Sequence, residues 1–327
     1  MQLRLFARQH LPTQVATLAS GDDKASNGTT YLTEVPFTVM LFTGTISEKA
    51  NGDGTYALDF SNATYIDSRS CKTSQEGDEM SMDKIAIMGD VHANPSALAT
   101  ALEDARALGC ARFWFLGDIT GYGYDLKEAL KLVRENFEVV LLGNHDVVCS
   151  DVFPSGLGNR NYDIDRLQAG QLSESELEYL RGLPLVHAED GVACVHGDFT
   201  NPRGFHYIQD AGDALDNRYT RDEQLLFCAH LHLASVWQVE DDATVTRLTE
   251  PSARPVLVPE TVTCQLRPDC HYVINCGSVG YPRIERSIVY SILDRKEKTV
   301  SIRRLPFDVE AYRRDMIRAG IAIPAWL

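Results

Sequence analysis

From residue 84 onward the chain alternates between short, continuously apolar runs and longer stretches whose apolar residues recur every three or four positions. Ile85-Ala86-Ile87-Met88 carries no polar interruption, which marks a strand covered on both faces in a parallel sheet. Asn94 followed by Pro95 reads as an N-cap and first helical position, and Leu98, Leu102 and Leu108 continue a helix that Gly109 closes. The pattern predicts strand 84–89, helix 95–108, strand 112–117, helix 125–135 and strand 138–142. This βαβαβ order implies a parallel sheet with helices packed on it. Ser173 and Glu176 form a capping box for a helix to about Leu180. Short strands then dominate, at 185–188, 192–196, 225–229, 272–276, 287–293 and 299–304. A last helix runs from about Val309 to Ala319, stopped by Gly320. So many strands in the second half call for a second sheet stacked on the first.

Residues 1–83 follow a different pattern. Turn-forming clusters (Gly21-Asp22-Asp23, Asn51-Gly52-Asp53-Gly54) surround β-favouring runs such as FTVMLFTGTI and TYALDF. A small β-rich extension, a hairpin or meander, is expected there, ending in the polar stretch CKTSQEGDEMSMD. It carries no recognisable chemistry. The expected division is an extension over 1–83 and a larger domain over 84–327.

Composition narrows the class. A hydrophobic share of 44% in 327 residues suffices for a sizeable core. No apolar run approaches the roughly 18 residues needed to span a bilayer, and no secretory pattern stands at the start, so a cytoplasmic protein without membrane attachment is expected. The eight cysteines (71, 110, 149, 194, 228, 264, 270 and 276) are scattered singly, which argues against a zinc ribbon or redox dithiol. Buried thiols are expected, with a Cys264–Cys270 pair as a minor alternative. A net charge of −15 repels polyanions over most of the surface and argues against a general nucleic-acid binder. A small phosphorylated substrate stays allowed if local cations hold it, and an oligomer is not excluded.

The candidate chemistry lies where apolar runs stop. The first strand leads to Asp90 and His92, the second to Asp118, and the third to Asn144, His145 and Asp146. Later strands lead to His196 and to His230 and His232. Five of the nine histidines fall in these blocks, each following an apolar strand. A single Asp-x-His is equally a turn carboxylate beside a loop histidine, and a lone histidine is usually a hydrogen-bonded core residue. Five at strand ends fit a ligand cluster better, because open α/β sheets bind ligands at the carboxyl ends of their strands.

Taken in order, Asp90-x-His92, Gly117-Asp118, Gly143-Asn144-His145-Asp146, His196 and His230-x-His232 resemble the calcineurin-like metallophosphoesterase superfamily. The blocks GDITGYGYD and NCGSVGYPR and the ending PFDVEAYRRDMIRAGI resemble its small phosphodiesterase and diadenosine tetraphosphatase-like branch. The resemblance covers residues 84 to about 323. It implies an α/β (α+β) fold, a four-layer α-β-β-α sandwich of two mixed sheets flanked by helices. It also implies two divalent metal ions, manganese foremost, with iron, zinc, nickel or cobalt compatible with an oxygen and imidazole donor set. By correspondence Asp118 bridges them. Asp90, His92 and His232 hold one, and Asn144, His196 and His230 the other. A metal-bridging hydroxide would attack phosphorus in line. His145 would serve the leaving group, with Asp146 orienting it and raising its pKa.

The implied activity is hydrolysis of a small phosphodiester, phosphomonoester or dinucleoside polyphosphate. Tyr122, Arg203 and Arg283 are candidate substrate contacts, Tyr122 with a packing loop and Arg283 with a structural ion pair as the alternative, and Arg203 because its segment caps the site in relatives. His187 and His206 match no ligand position. The sequence departs from the family pattern at Ala229 and Ala93, where Gly is usual, and at Cys276, where Pro is frequent. A protein phosphatase would carry arginines where Thr120-Gly121-Tyr122 and Val147-Val148 stand. A catalytically silent scaffold typically loses metal ligands, and here all are present.

Overall fold

The computed structural model describes residues 41–50, 56–66, 81–153, 163–252, 254–324 and 326. The chain divides into two compact units, Met1–Gly77 and Asp78–Leu327. In the first, strands β1 (Leu41–Ala50) and β2 (Tyr56–Ile66) pair antiparallel, with the register slipping between Thr45 and Ser47. The turn clusters at 21–23 and 51–54, most of the polar stretch 71–83 and Cys71 lie outside the described residues.

The second unit opens with β3 (Ser81–Met88), α1 (Pro95–Ala107), β4 (Cys110–Phe115), α2 (Leu126–Asn136) and β5 (Val139–Val140). The expected βαβαβ order is present, with β3, β4 and β5 parallel. Asn94 caps α1 through its side chain (Ala97 N to Oδ1, 3.3 Å) and Pro95 occupies the first turn, as the sequence predicts. Then come α3 (Asn144–Ser150), α4 (Asp163–Ala169), α5 (Glu174–Arg181), β6 (Val186–Glu189), β7 (Val192–Val195), α6 (Ala211–Arg218) and β8 (Leu225–Cys228). The chain continues through β9 (Ser235–Val239), β10 (Val245–Arg247), β11 (Glu260–Gln265), β12 (His271–Asn275), β13 (Ser287–Asp294), β14 (Thr299–Pro306) and α7 (Val309–Arg318).

Two six-stranded mixed sheets result, ordered β11-β14-β13-β3-β4-β5 and β10-β9-β12-β8-β7-β6. Strand alternation explains the layers. In β3, Ala86 and Met88 join the core formed with Leu98 and Leu102 of α1 and Leu130 of α2. Ile85 and Ile87 face the other way, into a core between the sheets with Trp114, Phe227 and Ile274. On the far side Ala193, Leu226 and Val273 pack with Ala214 of α6. The uninterrupted apolar runs therefore correspond to strands buried on both faces, and the sandwich is the four-layer one expected. Cys264 and Cys270 are both free thiols, as are the other described cysteines, so the minor pairing does not form.

Candidate metal centre

The parallel strands of both sheets end at one cleft. Asp90 and His92 follow β3, Asp118 follows β4, and Asn144 opens α3 after β5. His196 follows β7, and His230 and His232 follow β8. All seven are at most 4% exposed. The backbone pays for this convergence, because five of these residues are in the left-handed region: Asp90 (φ 54°), His92 (45°), Asp118 (61°), His230 (65°) and His232 (62°). That conformation costs an L-residue about 1–2 kcal/mol and tends to concentrate at functional sites. Hydrogen bonds across the cleft hold it. The Asp90 N–H donates to Gly117 O (2.9 Å), the His92 N–H to Asp118 O (3.0 Å), and the His230 N–H to Asp90 Oδ2 (3.0 Å).

The donor set fits divalent cations. Nδ1 of His92 donates to Thr120 O (2.8 Å), Nδ1 of His232 to Tyr281 O (2.9 Å) and Nδ1 of His196 to Leu116 O (2.7 Å). Each carbonyl fixes the tautomer, so Nε2 carries the lone pair, the usual arrangement around a metal-binding imidazole. The Nε2 atoms of His92 and His232 lie 3.1 Å apart, two acceptors facing each other, which a cation between or beside them relieves. Asp90 Oδ1 is buried without a hydrogen-bond partner and stands 3.2 Å from His232 Nε2. Asp118 Oδ2 lies 3.3 Å from His196 Nε2 and 3.7 Å from His92 Nε2. His196 Nε2 also lies 3.1 Å from Asn144 Oδ1. Three groupings of donor atoms are close enough to hold an ion: Asp90, His92 and His232; Asp118, His196 and His230; and, between them, His92, Asp118 and His145.

The electrostatics agree. Burial pushes His92 and His230 well below the usual imidazole value, which keeps them neutral. Burial also opposes charge on His196, but the Asp118 carboxylate outweighs it and raises this imidazole to about 9. The negative field that draws a proton to His196 is the field that would hold a cation in its place.

Beside this cluster, His145 and Asp146 separate in role. The hydrogen bonds of Asp146 run to backbone donors, while its charge helps to raise the pKa of His145. Asp146 accepts four backbone N–H groups, from Asp118 (2.8 Å), Ile119 (2.9 Å), Thr120 (3.0 Å) and Gly143 (3.0 Å), and so ties the β4 loop to the start of α3. The partner of His145 Nδ1 is Asp165 Oδ1 of α4, at 2.8 Å, with Asp165 fully buried. Burial disfavours the charged His145, but Asp118 and then the Asp165 hydrogen bond outweigh it and raise its pKa; Asp146 is a smaller contributor. The sequence reading missed Asp165 because it lies in DIDRLQA, a short acidic stretch that reads equally as a solvated turn. Its one signal is Gln168 three residues on, the same helix face. Gln168 Oε1 accepts the Gly121 N–H at 2.7 Å.

The substrate-contact candidates scatter. Tyr122 lies at the centre, its ring 4.7 Å from His92 and 4.6 Å from His145. Arg283 makes no ion pair among the described residues, its Nε lacks a hydrogen-bond partner, and its charge reaches the phenols of Tyr122 and Tyr281. Arg203 instead lies over the Phe153 ring at 4.8 Å. His187 sits against Trp114, and His206 stands 3.7 Å from Asp198 Oδ1, both outside the cluster. Tyr281, stacked on Tyr122, and Tyr207, stacked on His230 at 4.4 Å, are aromatic walls that the sequence reading passed over. Aromatic residues in loops have no periodicity to mark them.

A strand-end cluster of carboxylates, an amide and imidazoles where two stacked mixed sheets meet is a candidate divalent-metal centre, and with the family match it marks a metal-dependent phosphoester hydrolase. Residues 83–256 match the family model described as calcineurin-like phosphoesterase, and the chain belongs to that family. An uncharacterized protein of Methanocaldococcus jannaschii is 28% identical over 74% of this chain and 95% of its own length. A protein of Methylobacillus flagellatus named symmetrical bis(5'-nucleosyl)-tetraphosphatase is 28% identical over 37% of this chain and 45% of its own length. Among solved structures, a metallophosphoesterase from Sphaerobacter thermophilus superposes with a TM-score of 0.60 at 27% identity, covering 73% of this chain and 94% of that one. Among the described residues no helix is long and apolar enough to cross a membrane.

Proposed function

We propose that this chain hydrolyses a small phosphodiester, phosphomonoester or dinucleoside polyphosphate at a pair of divalent cations, manganese foremost. The observation that carries the reading is the convergence of carbonyl-fixed imidazoles on the orphaned Oδ1 of Asp90 and on Asp118. Asp118 would lie between the cations, with Asp90, His92 and His232 on one side and Asn144, His196 and His230 on the other. Bound cations would supply a water of lowered pKa and offset charge on the phosphoryl oxygens. The tetraphosphatase name of two partial relatives supports polyphosphate esters among the substrates to be tried.

The chain's own groups account for the leaving side. His145, held through Nδ1 by Asp165, would present the proton on its other ring nitrogen to the departing oxygen. Asp165 keeps the ring from turning and favours its protonated form. Asp146 secures the loop that presents Asp118. The net charge of −15 favours a small substrate over a polyanionic strand.

The test is hydrolysis of bis-p-nitrophenyl phosphate and p-nitrophenyl phosphate by metal-stripped protein, with manganese, nickel, zinc and magnesium restored in turn. Metal-restored cleavage is expected. Bound metal with no cleavage of either ester would overturn the broad esterase reading, and failure to bind metal would overturn the site itself.

A further inference from the structure

Residues beyond α7 lie outside the ligand set, yet one of them reaches the wall of the cleft. The ring of Trp326 meets Tyr281 edge-on, with centroids 5.2 Å apart and planes at 89°. Tyr281 is stacked on Tyr122 at 4.1 Å and 11°. Tyr122 in turn touches the imidazoles of His92 and His145. Backbone bonds tie the same segment to the centre. The Tyr281 carbonyl holds His232 (2.9 Å), its N–H donates to Ser278 Oγ (3.1 Å), and that hydroxyl donates to Asp90 O (3.1 Å). On its other side Trp326 is seated against Tyr312 and Phe307, each 6.3 Å away, so α7 and the end of β14 fix its place.

We propose that Trp326 is a positioning residue that holds the Tyr281–Tyr122 stack against His145 and thereby shapes the leaving-group side of the cleft. The inference rests on the phosphoesterase reading given above. Tyr281 is buried and Tyr122 only partly so, which makes Tyr281 the support and Tyr122 the surface that meets substrate. Tyr281 has its face on Tyr122 and its edge contact with Trp326. Removing that edge contact opens the support to water and loosens the wall without touching a metal ligand. Stacked and edge-to-face rings are favoured geometries, so an aliphatic side chain cannot substitute for the indole, whereas a phenyl ring can in part.

The experiment uses the full-length, metal-loaded protein with Trp326→Ala and Trp326→Phe. For bis-p-nitrophenyl phosphate, Trp326→Ala is expected to raise KM about three- to tenfold with a smaller change in kcat, as loss of one aromatic contact acting on substrate binding would. Trp326→Phe should return KM to within about twofold of the parent. Hydrogen exchange at residues 120–124 and 279–283 should quicken in Trp326→Ala and recover in Trp326→Phe, with metal content unchanged. A residue with only a general stabilising role would lower the unfolding temperature and leave KM and both segments unmoved, and that result overturns the proposal. If the parent protein cleaves neither ester, the broad esterase reading fails, and the exchange data decide separately whether Trp326 supports the stack.

Discussion

Nδ1 of His145 lies 2.8 Å from Oδ1 of Asp165, a pairing that reaches from α3 to α4 across the edge of the cleft. A carboxylate in this position locks the ring and stabilises its imidazolium, as a base-orienting acid does in other hydrolytic sites. Asp165→Asn is therefore expected to lower turnover by about 10²-fold, at the lower end of what general acid catalysis contributes. The loss should be larger for an alkyl ester than for a p-nitrophenyl ester, whose good leaving group needs less protonation. Equal losses on both, at full metal content, would remove His145 from the leaving-group role.

Asp146 should behave differently despite being next in sequence. Its carboxylate satisfies four buried backbone donors, and each unsatisfied buried group costs about 1–3 kcal/mol. Asp146→Ala is expected to destabilise the fold by roughly 3 kcal/mol or more in chemical denaturation and to lose metal as the Asp118 loop relaxes. A variant of unchanged stability but low turnover would return Asp146 to a direct catalytic role.

Gly143 approaches Asp118 too closely for any side chain. A Cβ there would stand 2.1 Å from Asp118 Oδ1 and 2.3 Å from its backbone nitrogen. Gly143→Ala should displace the Asp118 carboxylate and reduce bound metal, measured by elemental analysis, by more than half. Retention of full metal content would show that the loop can yield.

Acid should weaken the contact between α1 and β14. Burial works against the Asp104 carboxylate, but hydrogen bonds from Arg303 (2.7 and 2.8 Å) and Tyr290 (2.6 Å) outweigh it and hold its pKa below the ordinary value. A depressed folded-state pKa gives stability that is present above the unfolded value and lost as pH falls through the folded one. Asp104→Asn should cost about 1–3 kcal/mol at neutral pH. The difference from the parent should shrink below roughly pH 4 in pH-dependent unfolding. A gap that stays constant into acid would show that the charge is not what matters.

The fold was legible where burial is two-sided or a cap is explicit. Continuous apolar runs located β3, β4, β7, β8, β12 and β13, and Asn94-Pro95 and Ser173 with Glu176 marked helix starts. Weakly patterned elements were not. Helices α3, α4 and α6 are seven or eight residues long, too short for a periodicity to establish itself. The edge strands β10 and β11 are mostly exposed or half-buried, and the third strand, expected over 138–142, is regular only at Val139–Val140, although the Glu138 and Leu141 N–H groups also reach β4, at Phe113 O and Phe115 O. The ligand-type residues were readable because each follows an apolar strand. Asp165, Tyr207 and Tyr281 were not, because partnership across the fold leaves no local mark.

Asp90, His92, Asp118 and Asn144 extend from one sheet, whereas His196, His230 and His232 extend from the other. Ions held by both sets would act as rivets between two plates, and a slip of one plate over the other by even an ångström would spoil the seat. The inter-sheet side chains Ile85, Trp114, Phe227 and Ile274 are what resist such shear. Metal affinity would then also report how well the two halves are registered, through residues that touch no ligand atom.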